Sequence, residues 1–136
     1  MQIIGHRGAM GYRPENTISS FELAINQGAD AIELDVWLDR NGVPVVFHDE
    51  TLDALTNGHG PISEKTLDEL QGLTVKSPNP NLEIPKGKAT IPSLEEVLAF
   101  VRGKVWINIE LKGPGTAKAV YDLLDSHNKE GNPFES

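Results

Sequence analysis

Hydrophobic and polar positions follow two different periods along this chain. Met1 to Ile4 is an apolar run that stops at Gly5, as a buried strand does on entering a loop. Asn16 or Thr17 caps a helix over residues 18–28, in which Ile18, Phe21, Leu23, Ala24 and Ile25 recur at roughly helical spacing and Gly28 ends the run. From Ala31 to Leu38 the pattern alternates. Ile32, Leu34 and Val36 take one face of a strand and Glu33 and Asp35 the other, so two carboxylates point the same way. Asn41-Gly42 marks a turn, and Val43 to Phe47 is a second buried-strand run ending at His48-Asp49. The stretch from Asp35 to Val43 is too short for a crossover helix. If both strand ends face one rim, Trp37 to Arg40 must carry the chain back in extended form.

Residues 50–92 hold a short helical patch at Ser63 to Leu70 and then a stretch rich in Pro, Asn, Gly and Lys from Ser77 to Pro92, which reads as an insertion or lid. Pro92-Ser93 opens an amphipathic helix through Leu94, Val97, Leu98 and Val101 that ends at Gly103. Lys104 to Leu111 is the next strand, and Thr116 to His127 a final helix closed by Gly131 and Pro133. No solenoid repeat and no low-complexity segment interrupts this order. Strand and helix alternate, which predicts an α/β class with a mostly parallel sheet of about four strands and about four helices.

Composition narrows the functions open to such a domain. With 12 basic against 20 acidic side chains the formal charge is −8, which repels phosphate backbones and anionic lipid and argues against nucleic acid as a partner. Any phosphate must be met by local cations. The absence of cysteine excludes a disulfide framework, a thiolate zinc site and thiol catalysis. No window approaches the roughly 20 apolar residues of a membrane span, and no basic segment precedes the first strand, so the expectation is a cytoplasmic chain without stable membrane insertion.

In α/β folds reactive groups gather at the carboxyl ends of strands. His6 and Arg7 follow the first strand, Glu33 and Asp35 lie late in the second, His48 and Asp49 end the third, and Glu110 and Lys112 end the fourth. Singly, each is an ordinary solvated strand end or ion pair. Four strands delivering ionisable groups to one rim are not. Crowded carboxylates at Glu33, Asp35 and Glu110 repel unless a cation intervenes, and oxygen-only ligands favour Mg2+ or Ca2+ over zinc. His6 and His48 suit paired general acid and base work near neutral pH. Arg7 offers a planar fork to a phosphate and Lys112 a point charge. Gly8, Gly11 and Gly42 read as backbone permissiveness, and His59 and His127 receive no role.

At these residues the chain resembles the glycerophosphodiester phosphodiesterases of the phosphatidylinositol-phospholipase-C-like superfamily. The matching stretches are Gly5-His6-Arg7-Gly8, Pro14-Glu15-Asn16-Thr17, Glu33-Leu34-Asp35-Val36, His48-Asp49, Ile91-Pro92-Ser93-Leu94-Glu95-Glu96-Val97-Leu98 and Asn108-Ile109-Glu110-Leu111-Lys112, in the family's order. The resemblance implies a metal-dependent phosphodiesterase that splits small-molecule glycerophosphodiesters into glycerol phosphate and an alcohol. It implies Glu33, Asp35 and Glu110 as ligands of Ca2+ or Mg2+, His6 and His48 as the proton-handling pair, and Arg7 with Lys112 as phosphate contacts. Glu15 and Asn16 are expected to shape the site. The family's chemistry is drawn as attack by the substrate's own neighbouring hydroxyl, giving a cyclic phosphate that water opens.

The resemblance also implies a fold, the N-terminal part, about four βα units, of a TIM-type (β/α)8 barrel. Residues 1–136 form one partial catalytic domain, and residues 50–92 a capping insertion after the third strand. Complete barrels need at least about 200 residues. A part-barrel exposes sheet edges and an apolar inner face, so the expected partner is a second copy in a homodimer that closes it. Two alternatives stand beside the active phosphodiesterase. One is a catalytically silent, cation-binding half-barrel that self-assembles, and the other a related cyclising phospholipase.

Overall fold

The structure is a computed structural model that describes residues 3–8, 13–78 and 89–129. The strand start expected at Met1, the backbone role of Gly11, most of the Pro- and Gly-rich part of Ser77–Pro92, the helix-closing Gly131 and Pro133, and the side chain of His127 lie outside them.

The longest strand, Ala31–Leu38 (β2), organises a four-stranded sheet. Strand Ile4–His6 (β1) pairs parallel to it, with Ile4 opposite Ala31 and His6 opposite Glu33. Strand Trp106–Leu111 (β4) pairs parallel along its other edge, from Ala31–Trp106 to Val36–Leu111. Strand Pro44–Val46 (β3) differs from the parallel expectation, because it pairs antiparallel to β2, with Val36 opposite Val46 and Leu38 opposite Pro44. The passage from the second strand to the third, where a further βα unit was expected, is therefore a β-hairpin. Its physical reason is the shortness of the link already noted, since so few residues between strands permit only an antiparallel return.

Asp39 holds the turn. Its Oδ1 accepts the backbone N–H groups of Asn41 and Val43, each at 2.8 Å, and its Oδ2 that of Leu67, also at 2.8 Å. Glu33 pairs with both His6 and Asn108, and Val36 with both Val46 and Leu111, so β1 and β3 occupy successive stretches of the edge of β2 opposite β4.

Helices Ile18–Asn26 (α1), Leu94–Val101 (α3) and Thr116–Lys129 (α4) flank the sheet. A one-and-a-half-turn helix, Leu67–Gln71 (α2), and a 3-10 turn at Ile62–Glu64 replace the single helical patch expected at Ser63 to Leu70. The interruption is a cap. Thr66 accepts the N–H of Glu69 while Glu69 returns a bond to the backbone of Thr66. The same reciprocal device starts α1 at Thr17 with Ser20 and α3 at Ser93 with Glu96, and each such cap contributes about 1 kcal/mol.

The outer face of β2 buries Ile32, Leu34 and Val36 against Phe21 and Ala24 of α1, Leu94, Val97, Leu98 and Val101 of α3, and Val120 of α4. A second core lies under the hairpin, where Val45 and Phe47 meet Leu52, Ile62, Leu70, Val75 and Ile91. Residues 50–78 thus fold around their own apolar centre and are anchored on β3. Among the described residues β1 runs Ile4–His6, so His6 belongs to the strand itself and not to the loop after it. No helix among the described residues is long and apolar enough to cross a membrane.

Candidate functional site

Residues opposite one another on paired strands face the same way, so the register above stacks the inner face into rungs. Ile4, Ala31 and Trp106 form the lowest, His6, Glu33 and Asn108 the next, and Asp35 with Glu110 the third. Apolar floor gives way to charge toward the carboxyl ends of the parallel strands. Glu33, Asp35 and Glu110 can each offer an oxygen such that the three lie within 4.8 Å of one another. The three carboxylates expected to act together are brought together.

The other expected residues surround them. His6 Nε2 stands 3.2 Å from Glu33 Oε2, and Lys112 Nζ 3.1 Å from Glu110 Oε1. Arg7 Nη1 donates to Glu15 Oε2 at 3.0 Å, and its Nε lies 3.4 Å from Asp35 Oδ2. Arg7 and Asn16 both have left-handed backbones, with φ of 52° and 55°. Non-glycine residues adopt that region at a cost of roughly 1–2 kcal/mol each, and such strain concentrates at functional loops. It is held here by the carbonyl of Arg7, which accepts the Asn16 N–H at 2.9 Å and the Ser20 hydroxyl at 3.0 Å. Gly8 must be glycine, since its φ is +78° and a Cβ would collide with Ser20.

His48 arrives by the hairpin. Its Nδ1 is 2.6 Å from Asp49 Oδ1, and the Trp37 indole N–H donates to its backbone carbonyl at 3.0 Å. With Nδ1 engaged by a carboxylate, Nε2 is the nitrogen left for chemistry. Asp49 and Trp37 were given no role from the sequence. For Trp37 a signal was present, because alternation extends the inward face from Glu33 and Asp35 to residue 37. His59 instead pairs at the surface with Asp53, 3.6 Å away.

Two neighbouring carboxylates are pushed in opposite directions. Burial first, and then the charges of Asp35 and Glu110, raise Glu33 above the ordinary carboxylate value, against the opposing pull of His6 and the Arg7 backbone. The hydrogen bond from Lys112 leads in holding Glu110 below that value, with the neighbouring Asp35 carboxyl, the Lys112 charge and nearby His48 adding to it. Asp35 is 0% exposed and its Oδ1 is buried with no hydrogen-bond partner. Leaving a carboxylate oxygen buried and unpaired is costly. An all-oxygen donor set with two buried oxygens lacking a hydrogen-bond partner, Asp35 Oδ1 and Glu33 Oε2, fits a hard divalent cation such as Mg2+ or Ca2+.

The chain matches the Glycerophosphoryl diester phosphodiesterase family over residues 6–136. It is 40% identical over 131 residues to a glycerophosphodiester phosphodiesterase of Bacillus altitudinis, covering 91% of this chain and 52% of that one. To the enzyme of the same description from Caldanaerobacter subterraneus subsp. tengcongensis it is 38% identical over 136 residues, covering 94% and 54%. Among solved structures, a phosphodiesterase of Oleispira antarctica in complex with the product sn-glycerol-3-phosphate superposes with a TM-score of 0.82 at 36% identity, covering 93% of this chain and 53% of that one. A glycerophosphodiester phosphodiesterase from Agrobacterium tumefaciens gives 0.82 at 38% identity, covering 98% and 56%. The chain therefore spans about half the length of the curated relatives it matches. The α/β part-barrel expected from the sequence is the fold these structures share with it. With its motifs, their register and these likenesses in agreement, the chain belongs to the glycerophosphoryl diester phosphodiesterase family.

Proposed function

We propose that this chain carries the catalytic constellation of a divalent-cation-dependent phosphodiesterase acting on glycerophosphodiesters, releasing glycerol phosphate and an alcohol. The observation that carries the reading is the convergence of Glu33, Asp35 and Glu110 on one inner face beside His6, Arg7, His48 and Lys112. Glu33, Asp35 and Glu110 would hold Mg2+ or Ca2+. When bound, the ion lowers the pKa of a coordinated hydroxyl and offsets charge on phosphoryl oxygens.

The remaining work falls to the chain's own side chains. Arg7 is aimed by Glu15 and presents its planar fork to the phosphate, while Lys112 adds a point charge from beside Glu110. One histidine takes the proton of the substrate's neighbouring hydroxyl and the other protonates the departing alkoxide; in the second step, when water opens the cyclic phosphate, the roles reverse. Asp49 engages Nδ1 of His48 and so keeps its Nε2 available, as an orienting carboxylate does in a catalytic triad. Residues 50–78, packed on β3 next to His48, support the reading of 50–92 as a cap over substrate. The direct test is release of glycerol phosphate from glycerophosphocholine by the purified chain. Turnover is expected with Mg2+ or Ca2+ and lost with EDTA and in both His6→Ala and His48→Ala. Background turnover by the folded, cation-loaded wild type would refute it in favour of a silent cation-binding half-barrel.

A second copy is the proposed partner. Ile4 and Trp106, which sit on one rung with Ala31, are 49% and 57% exposed, and no strand among the described residues pairs with the far edge of β4. Such apolar, edge-bearing surface favours association.

A further inference from the structure

We propose that Asn16 is a positioning residue for the cation site, making Asp35 a one-oxygen ligand. The inference rests on the cation reading above and concerns a side chain with no role in proton transfer. Asn16 is 1% exposed. Its Nδ2 donates to Asp35 Oδ2 at 3.1 Å, and its Oδ1 accepts the backbone N–H of Asp35 at 3.4 Å. The carboxamide therefore grips both the side chain and the main chain of a residue 19 positions away, and sets the rotation of the carboxylate as well as its place.

The consequence lies in which oxygen is consumed. Oδ2 receives the amide of Asn16 and faces Nε of Arg7, while Oδ1 is buried and has no donor. Oδ1 is the oxygen left to a cation. The Arg7 contact at 3.4 Å lacks hydrogen-bond geometry, since Nε of Arg7 is itself without a hydrogen-bond partner. Orientation therefore depends on Asn16.

The backbone supports this assignment. Asn16 sits at φ 55°, a conformation that asparagine tolerates better than most residues and glycine best of all. It is braced on one side by its N–H bond to the carbonyl of Arg7 and on the other by Thr17, which caps α1 and donates its hydroxyl to the carbonyl of Pro14 at 2.6 Å. A reverse turn alone would be served by glycine here. The carboxamide's added contribution is its two bonds to Asp35.

Mg2+ requires near-octahedral coordination, whereas Ca2+ accepts carboxylates through one oxygen or two. An Asp35 freed to rotate therefore penalises Mg2+ more than Ca2+. The test is isothermal titration of the full chain with MgCl2 and with CaCl2, for wild type, Asn16→Gly and Asn16→Asp, beside metal-free melting curves. Glycine keeps the left-handed backbone and deletes the carboxamide; aspartate keeps the shape and replaces the donor with an acceptor. Both variants are expected to lose about 10–100-fold in Mg2+ affinity, with a smaller loss for Ca2+ and metal-free melting within a few degrees of wild type. Unchanged Mg2+ affinity in either folded variant overturns the proposal, as does an equal loss for both ions. A wild type that binds neither ion overturns the cation reading, and the role of Asn16 with it.

Discussion

The two faces of β2 obey opposite rules. Outward, Ile32, Leu34 and Val36 are fully buried beneath three helices, in a cluster with Phe21, Ala24, Leu94, Val97, Leu98, Val101 and Val120. Inward, the alternate residues Glu33 and Asp35 are crowded with like charge, and Glu33 is pushed above its ordinary value by burial and by Asp35. A single strand, one residue out of phase with itself, thus separates what holds the fold from what the fold is held for. The outer face is locally consistent. The inner face is frustrated in the isolated chain, and frustration of this kind marks function.

The largest effect that sharpens this contrast is expected on the outer face. Leu34→Ala leaves a cavity among α1, α3 and the sheet, and is expected to cost about 2–5 kcal/mol in denaturant unfolding. If the cost fell below 1 kcal/mol, the outer face would not be the principal source of stability. Next is the floor of the inner face. Trp106→Ser removes the most exposed side chain of the lowest rung and is expected to weaken self-association by about tenfold in sedimentation equilibrium, corresponding to roughly 1.4 kcal/mol. A wild type that stays monomeric at micromolar concentration would dispose of the dimer.

The smallest effect lies on the second rung. Because the folded protein raises the pKa of Glu33, protonation there favours the native state; that contribution is complete below the unfolded pKa and is lost as pH rises through the raised folded value. Glu33→Gln is therefore expected to melt about 1–3 °C higher than the metal-free wild type at pH 7, and at the same temperature near pH 3. With saturating Mg2+ the order should invert, since the variant lacks one of the three carboxylates proposed to hold the ion. A glutamine variant less stable than the metal-free wild type at pH 7 would mean that the inner face is not frustrated.

Most of the elements follow from periodicity and caps. The full extent of β2, the Ser93 start of α3 and the facing of Glu33 and Asp35 can be read directly from residue spacing. The direction of β3 was less accessible, because a buried strand presents the same apolar run whichever way it points, and only the short link between Asp35 and Val43 hinted at a hairpin. The carboxylates, histidines and Arg7 were identifiable as a set because four strands deliver ionisable groups to one rim, although each alone is an ordinary solvated strand end. The bonds of Asp49 to His48 and Trp37 to its carbonyl were not, since hydrogen bonding between neighbours in space leaves no periodic trace. The left-handed backbone of Arg7 was hidden for a related reason: arginine carries no signature of that conformation, as glycine does.

The hairpin has a mechanical consequence. His6, Glu33, Asp35 and Glu110 are all indexed to one ruler, the backbone of β2, through parallel ladders that shift only in whole residues. His48 and Asp49 hang from the far arm of a hairpin whose bend is fastened by Asp39 to the start of α2. His48 is tied to the same strand by the β2–β3 ladder, by the Phe47 N–H bond to the carbonyl of Asp35 at 3.0 Å and by the Trp37 indole on its own carbonyl. Both histidines are thus registered on the backbone of one strand, and a slip of the hairpin by a single residue would turn His48 to the opposite face of the sheet while His6 kept its place.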